Sequence, residues 1–104
     1  MRRLSILLLC LPTIVQAQVP APTQTRPAKL GQCVACHGEK GHSRIAGTPH
    51  LSGQDQVYLV AAITAYRTGT RHAQPMNSIA NTLQPRDIAA LARWYSRQPT
   101  GLSR

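Results

Sequence analysis

The chain has 104 residues, a formal net charge of +9, 42% hydrophobic residues and only 4% aromatic residues, with no phenylalanine at all. That length holds one small domain, and so few large apolar side chains make a thin core without help. Only Glu39, Asp55 and Asp87 are acidic, which leaves little material for an enzyme built on paired carboxylates, while a basic surface suits acidic partner proteins or anionic lipid.

The N-terminus reads as a targeting segment. Arg2 and Arg3 supply a positive start, residues 4–11 (LSILLLCL) an apolar stretch, and Val15-Gln16-Ala17 small residues at cleavage spacing. The apolar run is too short to span a bilayer, and Pro12 interrupts it. Leu9 is bulkier than lipoprotein processing at Cys10 would want, so residues 1–17 are expected to be cleaved as an ordinary signal peptide, Cys10 with them. Residues 18–27 (QVPAPTQTRP) carry three prolines and no apolar period, as a flexible lead-in would. Export would separate the chain from nucleic acid, and no run of Lys or Arg marks a nucleic-acid surface.

Residues 28–36 are expected to form a first short helix. Cys33-Val34-Ala35-Cys36-His37 is the C-x-x-C-H pattern of c-type haem attachment. On a helix, Cys33, Cys36 and His37 stand at i, i+3 and i+4 and share one face. Two thiols can then form thioethers to one haem edge while the imidazole takes the iron. A zinc site would want a second ligand pair, and no cysteine follows Cys36. A thioredoxin-like redox pair would want a strand–helix–strand context, and no strand pattern surrounds it. A buried macrocycle also supplies the apolar bulk that the sequence lacks.

Residues 38–53 form a long loop with four glycines and one proline. It can run along the haem face that His37 approaches. There Pro49 either sets a carbonyl to accept the free ring N–H of His37 or is a plain turn proline. Residues 54–68 read as the second helix, stopped by Gly69. Leu59, Ile63 and Tyr66 make its buried stripe, with Val60 and Ala62 beside them. Tyr58 and Tyr66 read as core packing in preference to hydrogen-bond donors near the haem.

Residues 70–77 form a loop containing Met76, the only methionine left once the signal is removed. Its thioether can approach iron from the face opposite His37, and a Met/His pair raises the reduction potential; filling a gap in the core is the alternative. His42, His50 and His72 are rival ligands. His42 is too near His37 in sequence to reach the far face easily, and His72 shares a loop with Met76. Residues 78–82 predict one short helical turn, capped by Asn77 or Ser78. Residues 85–98 predict the last helix, with Pro85 in its first turn, Asp87 near its N-terminus, and Ile88, Leu91, Ala92 and Tyr95 on its buried face. Trp94 lies one residue off that face, and residues 99–104 should fray.

Cys33-x-x-Cys36-His37-Gly38, Pro49-x-Leu51-x-Gly53-Gln54, Tyr66-Arg67-x-Gly69-x-Arg71, Met76 and Asp87-Ile88-x-x-Leu91-Ala92-x-x-Tyr95 occur in that order. With them the chain resembles a small single-haem bacterial class I cytochrome c, similar to one half of the tandem dihaem periplasmic cytochromes c. The resemblance implies an all-α fold over residues 28–98, three to five helices wrapped around one covalently attached haem c. It also implies that the first and last helices cross where Gly31 meets Tyr95, that the Pro49 carbonyl supports His37, and that Arg67 or Arg71 lies near a propionate, with Tyr58 a further supporting residue. Gln84 stands where many relatives have Ser or Asp, and is a poorer N-cap.

The function so implied is a periplasmic single-electron carrier. Cys33 and Cys36 hold its haem, His37 and Met76 are axial ligands, and no residue is catalytic. Its partners would be acidic redox proteins (a dehydrogenase, oxidase or peroxidase), with peripheral contact to an anionic membrane surface and none to nucleic acid. The alternatives are a tightly bound electron-accepting subunit of a dehydrogenase or oxidase complex, and a haem enzyme or gas-binding protein, which needs an exchangeable iron position. One C-x-x-C-H implies one haem.

Overall fold

Leu30, Leu59, Leu83, Ile88, Leu91, Ala92 and Tyr95 gather into one buried cluster, drawn from positions far apart in the chain. They do so in a computed structural model that describes residues 1, 6–20 and 22–101. Arg2, Arg3, the first two residues of the apolar run and the last three of the tail lie outside the described residues. Four helices carry or flank the cluster: α1 (Gly31–His37), α2 (Gln56–Thr68), α3 (Met76–Asn81) and α4 (Pro85–Ser96). No strand occurs among the described residues, and α2 packs against both α3 and α4.

Three helices start away from their expected bounds, while α4 starts at Pro85 as expected and ends at Ser96, two residues early. Residues 28–30 form a turn, in which the Leu30 N–H donates to the Pro27 carbonyl at 3.2 Å, so α1 starts at Gly31. It runs on to His37 and closes where the Gly38 N–H donates to Val34 O. α2 begins two residues later than expected because Asp55 is its N-cap, its Oδ1 accepting the Tyr58 N–H at 2.8 Å. Gly69 ends α2 with φ +79°, a left-handed cap that suits glycine. α3 opens on Met76 itself, so this residue stands in a first helical turn and not in the preceding loop.

α4 presents Ile88, Leu91, Ala92 and Tyr95 to the core, as its period implied. The poor cap expected of Gln84 is offset by Asp87, whose Oδ2 accepts the Gln84 N–H at 2.9 Å, the reciprocal half of a capping box. The end of the N-terminal lead-in is docked where free flexibility was expected throughout. Gln24 Nε2 donates to the carbonyls of Arg93 and Trp94 at 3.2 and 3.1 Å, and Gln98 Nε2 donates back to Gln24 Oε1 at 3.0 Å. Pro27 is buried, and Arg26 makes a two-pronged exposed pair with Glu39. By contrast, Ile6 to Leu9, Leu11, Ile14 and Val15 are all exposed.

Tyr95 does meet a glycine, but Gly41 in place of Gly31. A Cβ on Gly31 would touch nothing within 4 Å. One on Gly41 would lie 2.5 Å from the Ser52 nitrogen and 3.0 Å from Tyr95 Cδ1, on a backbone already at φ +81°. The same Gly41 carbonyl accepts the Leu51 N–H at 2.8 Å, so the loop cannot easily move aside. Gly41→Ala is therefore expected to destabilise the fold by about 2–4 kcal/mol, and Gly31→Ala to leave it unchanged or slightly firmer, as read by chemical denaturation.

Candidate functional site

Cys33, Cys36 and His37 face one cavity of about 480 Å³ that Met76 also lines, so thiol, imidazole and thioether share a common space. α1 sets the spacing: at i, i+3 and i+4 the three side chains fall on one helical face. Both cysteines are free and partly buried. Burial pushes the Cys33 thiol up to about 11, against a smaller opposing effect of Tyr95. A thiol held neutral in this way is a poor thiolate ligand or redox nucleophile. No group of three His, Cys, Asp or Glu among the described residues is placed to hold a bare metal ion. The lack of such a group weighs against the zinc alternative.

Among the described residues His37 is the one buried polar or charged side chain, 8% exposed. Its Nδ1 lies 2.9 Å from the Pro49 carbonyl oxygen. A carbonyl can only accept, so Nδ1 carries the proton and Nε2 keeps its lone pair for a metal. Irregular though it is, the loop that delivers Pro49 is well anchored. Tyr95 Oη donates to Gly38 O at 3.0 Å, Trp94 Nε1 to Glu39 O at 2.7 Å, and Ser43 Oγ to Cys36 O at 2.8 Å. At its far end the Gly53 N–H donates to Tyr95 O at 2.9 Å. Both ends of the loop thus hang from α4, and the position of His37 depends on the helix farthest from it in sequence.

Leu59, Ala62 and Ile63 of α2 and Met76 and Ile79 of α3 also line the cavity. Tyr58 and Tyr66, expected in the core, instead line the cavity, Tyr58 with half its surface exposed. Of the two candidate arginines, Arg71 lines the cavity, its guanidinium 4.8 Å from the Tyr66 ring centroid, whereas Arg67 is exposed on α2 and does not. No acidic side chain lines it. His50 does, at its margin, with Nδ1 already accepting the Ser43 N–H at 2.9 Å. His72 does not, and His42 Nε2 lies 3.0 Å from the Pro99 carbonyl. A second, shallower hollow of about 690 Å³ runs along the outer side of α2 past Val57, Ala61 and Thr64. It has no thiol, imidazole or thioether and no part in this site.

Sequence reasoning missed Asn77. It was weighed only as a helix cap, yet its amide bonds Tyr66, Arg71 and Ala73 together. An asparagine next to the methionine was the available signal.

The cavity suits haem on its own terms. Its volume lies in the range of roughly 300–1,000 Å³ usual for cofactor sites, its lining is mostly apolar, and two free thiols and a pre-oriented imidazole stand along it. Residues 26–96 match the family model described as Cytochrome c. The chain is 44% identical over 73 residues to cytochrome c-554(548) of Halomonas halodenitrificans, covering 67% of this chain and 88% of that protein. It is 33% identical over 84 residues to a thiosulfate dehydrogenase electron acceptor of Thiomonas intermedia, covering 79% of this chain but only 39% of that longer protein. The solved structure of Acidithiobacillus ferrooxidans cytochrome c4 superposes with a TM-score of 0.59 at 26% identity, over 77% of this chain and 56% of that one. The all-helical fold, the C-x-x-C-H face along an apolar cavity and these likenesses agree: the chain belongs to the cytochrome c family of electron-transfer proteins, has the class I fold, corresponds to about one half of a cytochrome c4, and carries covalent haem c.

Proposed function

We propose that this protein is an exported single-electron carrier whose haem is tethered by Cys33 and Cys36 and whose iron is held between His37 and Met76. The observation that carries the reading is the single cavity that brings these four side chains together. Bound haem supplies a one-electron ferrous/ferric couple. The chain's own residues do the rest. Pro49 keeps the His37 ring in one tautomer and one orientation. Leu59, Ile63 and Leu91 exclude water from the cavity. Were His37 and Met76 both to hold the iron, no position would be left for a substrate, and no side chain would need to act as acid, base or nucleophile.

Carbon monoxide tests this reading against a haem enzyme or gas-binding protein. The reduced protein is expected to keep its spectrum under carbon monoxide at neutral pH, whereas rapid conversion would reveal an exchangeable position and reject the carrier.

Export is supported by the apolar stretch that begins the sequence. No helix among the described residues is long and apolar enough to cross a membrane, and Leu7, Leu8 and Leu9 stand exposed outside the domain. We infer cleavage after Ala17 and a periplasmic location, with residues 18–27 leading into the domain of 28–98 and a short tail after it. N-terminal sequencing of the purified protein should begin at Gln18.

With Arg2 and Arg3 lost to cleavage, ten Lys and Arg remain against three acids, and the surface favours acidic redox partners or an anionic membrane surface. Electron transfer to an acidic partner should slow severalfold between low and physiological salt, as screening removes the steering. Salt-independent rates would reject an electrostatic encounter. A second reading, a subunit that accepts electrons within a dehydrogenase complex, draws on the name of the Thiomonas intermedia relative. Co-purification with a larger dehydrogenase would favour it over the free carrier.

A further inference from the structure

We propose that Asn77 is a positioning residue for Met76: its side-chain amide clamps the segment bearing the sulfur to the end of α2 and so protects the axial bond from competing ligands. The proposal rests on the reading of Met76 as an iron ligand.

An asparagine amide offers two N–H donors and one carbonyl acceptor, and Asn77 uses both donors and the acceptor. Nδ2 donates to Tyr66 O at 2.9 Å and to Arg71 O at 2.8 Å, while Oδ1 accepts the Ala73 N–H at 2.9 Å. The backbone adds an Asn77 N–H bond to Ala73 O at 3.2 Å. Tyr66 lies in the last turn of α2, where carbonyls lack an intrahelical partner. Arg71 and Ala73 lie in the irregular stretch between α2 and α3. One side chain therefore joins a helix end, the turn beyond it and the segment leading to Met76, and it sits on the residue directly after the sulfur.

This matters because a thioether is neutral and has no charge to hold it on a metal. Its hold depends on a high effective concentration, which the fold supplies by keeping the sulfur in place. Loosening the segment raises the population in which the sulfur is off the iron, and any added ligand gains apparent affinity in proportion to that population.

The test uses the holoprotein and imidazole as the competing ligand. Met76→Ala comes first: loss of the weak long-wavelength band of methionine-bound ferric haem establishes the ligand, and an unchanged band would reject the ligand reading and the clamp with it. With the ligand established, Asn77→Ala should tighten imidazole binding at least about tenfold, and the band should vanish at lower imidazole concentration. Asn77→Asp keeps the acceptor for Ala73 but sets carboxylate oxygens against two carbonyls, and should tighten imidazole binding as much. If either variant binds imidazole like the unaltered protein, the clamp is rejected while the ligand stands. Should neither variant yield holoprotein, the unaltered protein decides. Saturating imidazole must then speed hydrogen exchange at the Ala73 amide by at least about tenfold, and unchanged exchange would overturn the proposal.

Discussion

Replacing both Cys33 and Cys36 with alanine is expected to give a colourless chain with no stable fold at 25 °C. The reason lies in how little the polypeptide buries for itself. Its core is a handful of aliphatic side chains and Tyr95 around one cavity of about 480 Å³. Kept open and dry, a space of that size would cost up to about 12 kcal/mol at the roughly 24 cal/mol per Å³ seen for engineered cavities. That is comparable with the whole stability of a small domain, about 5–15 kcal/mol. Haem therefore acts as a core element, and the two thioethers keep it there. Single variants should retain one thioether and fold, with lower stability. Far-ultraviolet circular dichroism and covalent haem content after denaturation separate these cases. A double variant that stayed helical and cooperative without haem would show that the polypeptide core suffices.

Met76→Ala is the second large effect. The residue lines the cavity from the first turn of α3, away from the α1 face that carries His37. If Met76 ligates the iron as proposed, loss of the sulfur would leave its place to water or a stray nitrogen ligand. The reduction potential should then fall by on the order of a hundred millivolts or more, within the roughly 0.8 V over which axial ligands tune haem. Fold stability should change much less, because Leu59, Leu83 and Ile88 remain buried around the site. An unchanged potential would move the ligand elsewhere. His50 would then be the first candidate, since it lines the cavity and His72 does not.

Sequence periodicity made α2 and α4 legible because their apolar residues recur at helical spacing over several turns. The C-x-x-C-H segment was legible because its chemistry is local: three residues on one turn of helix suffice. What the sequence hid was tertiary. Gly31 and Gly41 look alike as letters, and only the close approach of Ser52 and Tyr95 to Gly41 shows which one must lack a side chain. Arg67 and Arg71 are one helical turn apart, but the left-handed cap at Gly69 redirects the chain so that only Arg71 reaches the cavity. Asn77 resembled a cap because its three partners lie in a stretch with no period to trace. The lead-in looked free because its prolines show no pattern, yet Gln24 finds exposed carbonyls at the end of α4.

The most direct test of the central claim is the optical spectrum of the purified protein, oxidised and reduced, before and after extraction with acidified solvent. A haem held through Cys33 and Cys36 should remain with the polypeptide, show the sharp reduced bands of a c-type cytochrome, and display in the oxidised state the weak long-wavelength band of methionine ligation. A protein that loses its colour on extraction, or is isolated colourless with Cys33 and Cys36 disulfide-bonded or free, would contradict the account.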